Sequence, residues 1–306
     1  MSVRLGIDIG GTKVNAGLLS EDGRVIGKRK FAVPAGVACG PLMALAAREC
    51  GLLLAQNGLG MQDVGFMGMG MPGSVDSTHS VVRNAPNLHF VNAPCADLME
   101  ACCGLRPMLV QDSRAAALGE ALFGEGRGSG LLVCITLGTG IGCGIVYKGA
   151  IFHGALGTAG ETGHIPIVPN GRPCACGQRG CAEAYASGTG IARSAKEHPA
   201  LSGRQLTSEQ VFALAHAGHE AALEILQSAV DVLGQALTAV VNTLSPDALI
   251  FSGGMCTQRE LFVDPLIRHV RLHGYGLAVG DGLKIGVSSL GSDAPMIGAA
   301  MLDKAL

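Results

Sequence analysis

Apolar residues alternate along the first stretch of the chain, at Val3, Leu5, Ile7 and Ile9, turn through Gly10 and Gly11, and resume at Val14, Ala16 and Leu18. A period of two on either side of a glycine pair predicts strand, turn and strand. The spacing then becomes helical in Pro41 to Gln56, through Leu42, Leu45, Ala46, Leu52 and Leu53, and returns to a short buried strand at Val64 to Met71. A further helix is predicted after Asp112, through Ala115, Ala116, Leu118, Leu122 and Phe123, ending at Gly124. The opening device then recurs, with Leu131 to Leu137 as a strand, Gly138 to Gly144 as a glycine turn and Ile145 to Tyr147 as a strand. A long helix over Ala221 to Leu244 is broken by Ser245-Pro246-Asp247, before a strand at Ala248 to Phe251 and a turn at Ser252-Gly253-Gly254. Ala294 to Leu306 closes the chain as a helix.

Strands alternating with helices make this an α/β chain. Its 306 residues are about twice a typical domain of roughly 150, so two lobes are expected. The glycine-rich stretch Gly124 to Gly130 is the hinge candidate, dividing an N-terminal lobe, 1–124, from a C-terminal lobe, 125–293. The closing helix 294–306 can pack back on the first lobe, making the domains discontinuous. A formal net charge of -2 supplies no basic field for nucleic acid or anionic lipid, so the partner is a small molecule. The start reads neither as a signal peptide nor as a membrane span, which sets the expectation of a cytoplasmic protein. In that compartment most of the 11 cysteines are expected as small buried hydrophobes without disulfides.

Asp8, Gly10, Gly11, Thr12 and Lys13 place a carboxylate at a strand end beside two glycines and a hydroxyl. Exposed amides in such a turn bind phosphate oxygens, and the Asp reaches a hydrated magnesium ion; the alternative is an ordinary hairpin. Gly138, Thr139 and Gly140 repeat the glycines and the hydroxyl, which favours the phosphate reading. Neither turn has dinucleotide or P-loop spacing. Gly68, Gly70 and Gly73 have the dinucleotide interval, yet Pro72 and the run from Ser74 to Ser77 show no helix start there.

His164, Cys174, Cys176 and Cys181 offer one imidazole and three thiolates, a closed tetrahedral set of the kind that holds structural zinc. Gly171, Pro173, Gly177 and Gly180 let a short loop wrap the ion. Four protein ligands leave no open position, so the metal's work would be to orient His164 rather than to catalyse.

Two glycine hairpins, one per lobe, resemble the phosphate elements of the actin, heat-shock-protein-70 and sugar-kinase ATPases, which have a two-lobed, ribonuclease H-like fold. The run Ala248 to Gly254 looks like their adenosine-binding turn, with Gly253 and Gly254. Gly160-Glu161-Thr162-Gly163-His164, followed by the stretch from Cys174 to Ala184, is similar to the signature of the ROK family of repressors, open reading frames and kinases. That resemblance implies an actin-like ATPase fold with a zinc-binding loop at 164–183. It implies a hexose kinase using ATP and Mg2+ with structural Zn2+, acting on the 6-hydroxyl of glucose or a close relative. Allose, fructose, N-acetylmannosamine and N-acetylglucosamine are the other sugars it implies, and a homodimer the assembly. By the same resemblance Asp112 is the catalytic base, and Gly73, Asn87, Gln111, Glu161, His164 and Glu183 contact the sugar. Taken by itself, Asp112 at a helix start is also simply a cap. Family kinases usually have Asn-Asp-Ala-Asn where this chain has Gln111-Asp112-Ser113-Arg114. The extra methylene of Gln displaces its amide by about 1.5 Å, which bears on the sugar's identity. Arg114 either faces solvent or reaches a substrate or product anion. The family's repressors add an N-terminal DNA-binding domain; here Asp8 comes within ten residues of the start, so a sugar-sensing regulator is the lesser alternative.

Overall fold

The computed structural model describes residues 2–276, 280 and 282–305. Its first half contains β1 (Val3–Ile9), β2 (Lys13–Leu19), β3 (Val25–Ala32), α1 (Cys39–Gln56), β4 (Val64–Met71), β5 (Ser74–Val75), β6 (Val82–Ala85), β7 (Phe90–Ala93), α2 (Cys95–Cys103), β8 (Met108–Gln111) and α3 (Asp112–Phe123). Then come β9 (Leu131–Leu137), β10 (Ile141–Tyr147), β11 (Ala150–Ile151), α4 (Glu183–Ala186), α5 (Gly188–Glu197), α6 (Ser208–His216), α7 (Glu220–Leu244), β12 (Ala248–Ser252), α8 (Asp264–His273), β13 (Lys284–Val287) and α9 (Ala294–Ala300).

Two five-stranded sheets share one plan. Their orders are β3-β2-β1-β4-β8 and β11-β10-β9-β12-β13, so each is led by a central strand with a hairpin on one side and two later strands on the other. The chain divides into two compact units: Met1–Gly128 with Gly144–Ala159 and Ser292–Leu306, and Ser129–Cys143 with Gly160–Gly291. These are drawn differently from the expected division at 124/125, because residues 144–159 pack with the first unit.

In the first unit β1 is paired antiparallel to β2 and parallel to β4, which is parallel to β8. Ile7, Ile9, Val14, Leu42, Met43 and Met69 are fully buried around this sheet. The closing segment is helical only to Ala300 and ends in a 3-10 turn, Leu302–Lys304. This α9 lies so close to β4 and α3 that a Cβ at Gly68 would stand 1.8 Å from the Ala299 carbonyl oxygen, and one at Gly298 1.7 Å from that of Ala115.

Several elements differ from the sequence expectation. The second glycine turn is shorter than 138–144, since β10 begins at Ile141. Gly144 belongs to that strand, and a Cβ there would meet the Ser113 carbonyl at 2.5 Å, so this glycine serves close packing on α3 rather than a turn. The edge strand β3, the small β5-β6-β7 sheet, α2, α5 and α6 were not expected: Lys28, Arg29 and Lys30 blunt the alternation of β3, and the others are short. In the second unit, β12 is parallel to both β9 and β13. The 25-residue α7 is the one described helix long and apolar enough to cross a bilayer, but 61% of its most apolar window is buried, as in a core helix.

Candidate functional site

The parallel strands of the first unit end together. Asp8 of β1 stands opposite Gly70 of β4, and Met71 opposite Gln111 of β8. A Cβ at Gly70 would touch Asp8 Oδ1 and the Asp112 Cα, each at 3.6 Å, so the glycine lets the two acidic residues flank one spot. Carboxyl ends of parallel strands are where α/β folds bind ligands. Burial, then the charge of Asp112, pushes the Asp8 carboxyl up to about 8, with Lys30 pulling the other way. Two carboxylates held this way form a donor set that a hydrated divalent cation relieves, so Asp8 fits magnesium.

Asp112 is the first residue of α3 and Gln111 takes the cap position without a side-chain capping bond. The Asp112 Oδ1 accepts from the Ser113 amide at 2.7 Å. Gly10, Gly11 and Thr12 form the β1–β2 turn, closed by the Gly10 amide donating to the Lys13 carbonyl at 2.9 Å; Gly11, Thr12 and Lys13 are exposed. A Cβ at Gly11 would lie 3.5 Å from the Asn87 side chain, so Asn87 borders this turn. Gly73 has φ 81° and no room for a Cβ, which would come 2.0 Å from the Asn84 carbonyl oxygen; its glycine identity is thus demanded by the backbone.

In the second unit, Gly138 and Thr139 line a cavity of about 600 Å³ together with Gly188, Thr189, Thr207 and Gly254. That volume falls within the range of small-molecule sites. Gly254 has open space around it, whereas Gly253, at φ 98°, turns the chain against Leu137. Sequence reasoning missed the α5 and α6 walls. Ser187 caps α5 by accepting from the Gly190 amide, and Thr207 caps α6 in a capping box with Gln210. The Thr207-x-x-Gln210 spacing was the available signal.

Glu183 behaves differently from a pure sugar ligand. Its Oε2 accepts from the Ile141 amide at 2.8 Å and a Cβ at Gly140 would stand 2.7 Å from it, so one oxygen braces the β9–β10 turn. Glu161 is two-fifths exposed, and its Oε2 lies 4.0 Å from His164 Nε2.

His164, Cys174, Cys176 and Cys181 converge as expected: their donor atoms all lie within 4.8 Å of one another. Cys176 and Cys181 sulfurs are 3.6 Å apart, and Cys174 Sγ is 3.6 Å from His164 Nδ1. A tetrahedral ion with Zn–S of about 2.3 Å and Zn–N of about 2.0 Å demands edges of roughly 3.8 and 3.5 Å, so the donor set fits zinc. His164 turns Nδ1 to the cluster and Nε2 toward Glu161.

A family model described as ROK family matches residues 4–305. The glucokinase of Thermotoga maritima is 34% identical over 315 residues, covering 98% of this chain and 96% of that protein. Among solved structures, a ROK family glucokinase from Streptomyces griseus in complex with glucose and AMPPNP matches with TM-score 0.84 and 34% identity, covering 99% of each chain. The ROK hexokinase from Thermus thermophilus matches with TM-score 0.84 and 28% identity, covering 98% of this chain and 97% of its own. These likenesses extend over the glycine turns, the acidic strand ends and the cysteine loop alike, and the chain belongs to the ROK family.

Proposed function

We propose that this chain is an ATP-dependent hexose kinase that transfers the γ-phosphoryl group to the 6-hydroxyl of glucose or a close relative. The observation that carries the reading is the convergence of Asp8, Gly70 and Asp112 at three adjacent parallel strand ends beside the Gly10–Thr12 turn. Glucokinases similar along nearly the whole chain support glucose as the sugar.

Asp112 takes the proton of the attacking hydroxyl. The base need not be strong, because phosphoryl transfer has a loose transition state in which that proton leaves late and positioning carries most of the catalysis. Amides of the two glycine turns hold phosphate oxygens, and the cavity lined by Gly138, Thr189, Thr207 and Gly254 takes the adenosine end. Asp8, with Thr12 and Lys13 near it, meets the nucleotide's magnesium, which supplies charge neutralisation of the phosphates when bound. Asn87, Gln111, Glu161, His164 and the remaining oxygen of Glu183 bind sugar hydroxyls, with Gly73 shaping the backbone beside Asn87. Zinc, when bound by the four-residue set, fixes the ring and tautomer of His164. A homodimer and a cytoplasmic setting belong to the same reading on the family's account.

A panel of hexoses tests this by coupled ADP release. ADP release should depend on an added hexose, with glucose among the best, and Asp112→Asn should lower turnover by about two to four orders of magnitude. Sugar-independent hydrolysis alone would remove the kinase reading, and near wild-type turnover in the variant would remove Asp112 as base.

A further inference from the structure

Arg114 does not face solvent; it is turned inward onto backbone. It is the third residue of α3, two after Asp112, and only 7% exposed. Its Nη2 donates to the carbonyls of Gly157 at 2.7 Å and Ala159 at 3.1 Å, and its Nη1 lies 3.1 Å from His153 Nδ1. One planar guanidinium thus grips three points of a seven-residue segment, a task for which its fixed fork is suited and a lysine ammonium is not.

Within the segment two backbone bonds close the turn, the Gly157 amide donating to the Gly154 carbonyl at 3.3 Å and the Ala159 amide to the His153 carbonyl at 3.0 Å. Gly154 and Gly157 have φ of 69° and 73°, and Leu156 is 88% exposed, so the segment gains little from apolar burial. His153 is itself anchored: its ring meets His79 edge-on at 5.8 Å, and His79 Nδ1 is 2.8 Å from the Leu109 carbonyl of β8. Burial first, then the neighbouring Arg114 and His79, holds the His153 imidazole below its ordinary pKa, so it stays a neutral acceptor for the guanidinium near neutral pH. Immediately after Ala159 come Gly160, at φ 93°, and Glu161.

We propose that Arg114 is a positioning residue for hexose recognition: from the helix that begins with Asp112 it fixes segment 153–159, and thereby the point from which the chain proceeds to Glu161. The inference rests on the hexose-kinase reading and assigns a role to the position where the family pattern has Asn. That shorter side chain does not span the same three acceptors. Direct contact between Arg114 and the sugar is not required, since the charge-assisted bonds to backbone act through the loop.

Arg114→Lys is the test, as it keeps the cation and offers one donor nitrogen. Hydrogen exchange on the full chain should speed up by about tenfold or more at the amides of 153–160 and little elsewhere, while the hexose KM rises roughly 10–100-fold, the loss of a charge-assisted bond. The ATP KM should move less than about twofold. Unchanged exchange overturns the clamp; faster exchange with an unchanged hexose KM, or both KM values rising together, overturns the recognition role. Arg114→Ala, checked by thermal melting and assayed with and without methylguanidinium, guards against a folding defect: recovery of the hexose KM by the added cation supports the proposal. A wild-type protein without hexose-dependent ADP release would remove the kinase reading instead, and the exchange result would still decide the clamp.

Discussion

At Asp76 a single carboxylate organises the start of the small β5-β6-β7 sheet, the sheet that brings Asn87 beside the first glycine turn. Its Oδ1 accepts from the amides of Ser80 at 2.9 Å and Val81 at 2.8 Å, and its Oδ2 accepts from the Thr78 hydroxyl. Burial opposes the charge, but these donors outweigh it and hold the carboxyl down at about 2, against 3.8 ordinarily. A depressed native pKa means the unfolded chain takes up the proton first, so the stabilisation is complete above about pH 4 and is lost as pH falls toward 2. Asp76→Asn should therefore melt lower than wild type at pH 6, with the two curves converging between about pH 4 and 2. A gap that stayed constant through that window would refute the electrostatic account. At this scale the arrangement was partly legible: the spacing of His164, Cys174, Cys176 and Cys181 announces their convergence, and Asp8 stands at its strand end as expected. The carboxylate of Glu183 on the Ile141 amide was not, because 42 residues separate the partners and nothing local requires them to meet.

Elements were predicted where they are long and periodic. β1, β4, α3 and α7 fall within a residue or two of their expected bounds, because a buried face imposes a period over many residues. The same rule misassigned Gly144 to a turn, since glycine signals close approach as readily as chain reversal. Gly298 in α9 is the severe case: a methyl group 1.7 Å from the Ala115 carbonyl oxygen meets backbone, which no rotamer change relieves. Gly298→Ala should cost about 1–3 kcal/mol or more by overpacking, lowering Tm by several degrees. Gly51, exposed in α1 with nothing within 4 Å, is the matched control. Gly51→Ala should be neutral or stabilising by up to about 1 kcal/mol, as helix propensity alone dictates. Equal effects at the two sites would show that α9 does not pack as tightly as described.

For the molecule as a whole, the loop that groups His164 with Cys174, Cys176 and Cys181 is tested most directly by its metal content. Four ligands within 4.8 Å of one another bring three thiols together, an arrangement that a divalent ion stabilises and that its loss would leave poorly compensated. Elemental analysis should find about one zinc per chain, from the four-ligand closed set. Stripping it with a strong chelator should lower Tm and raise the hexose KM more than the ATP KM, both restored by added zinc. A metal-free protein of unchanged Tm and kinetics would contradict the role given to the loop. The two equivalent strand orders have one physical basis: each opens with a strand, a glycine turn and a strand, and each adds its later strands on the other side of the first.

The α/β class, the repeated hairpin and the grouping of His164 with three cysteines were legible in the sequence, because each is written in local period or in residue chemistry at short spacing. Tertiary structure decided what depends on distant partners. It moved residues 144–159 into the first unit, built the α5 and α6 walls of the cavity beside Gly138 and Gly254, and turned Arg114 inward onto carbonyls 43 and 45 positions away. A buried guanidinium must find acceptors to offset its desolvation, and only the folded chain specifies which backbone supplies them.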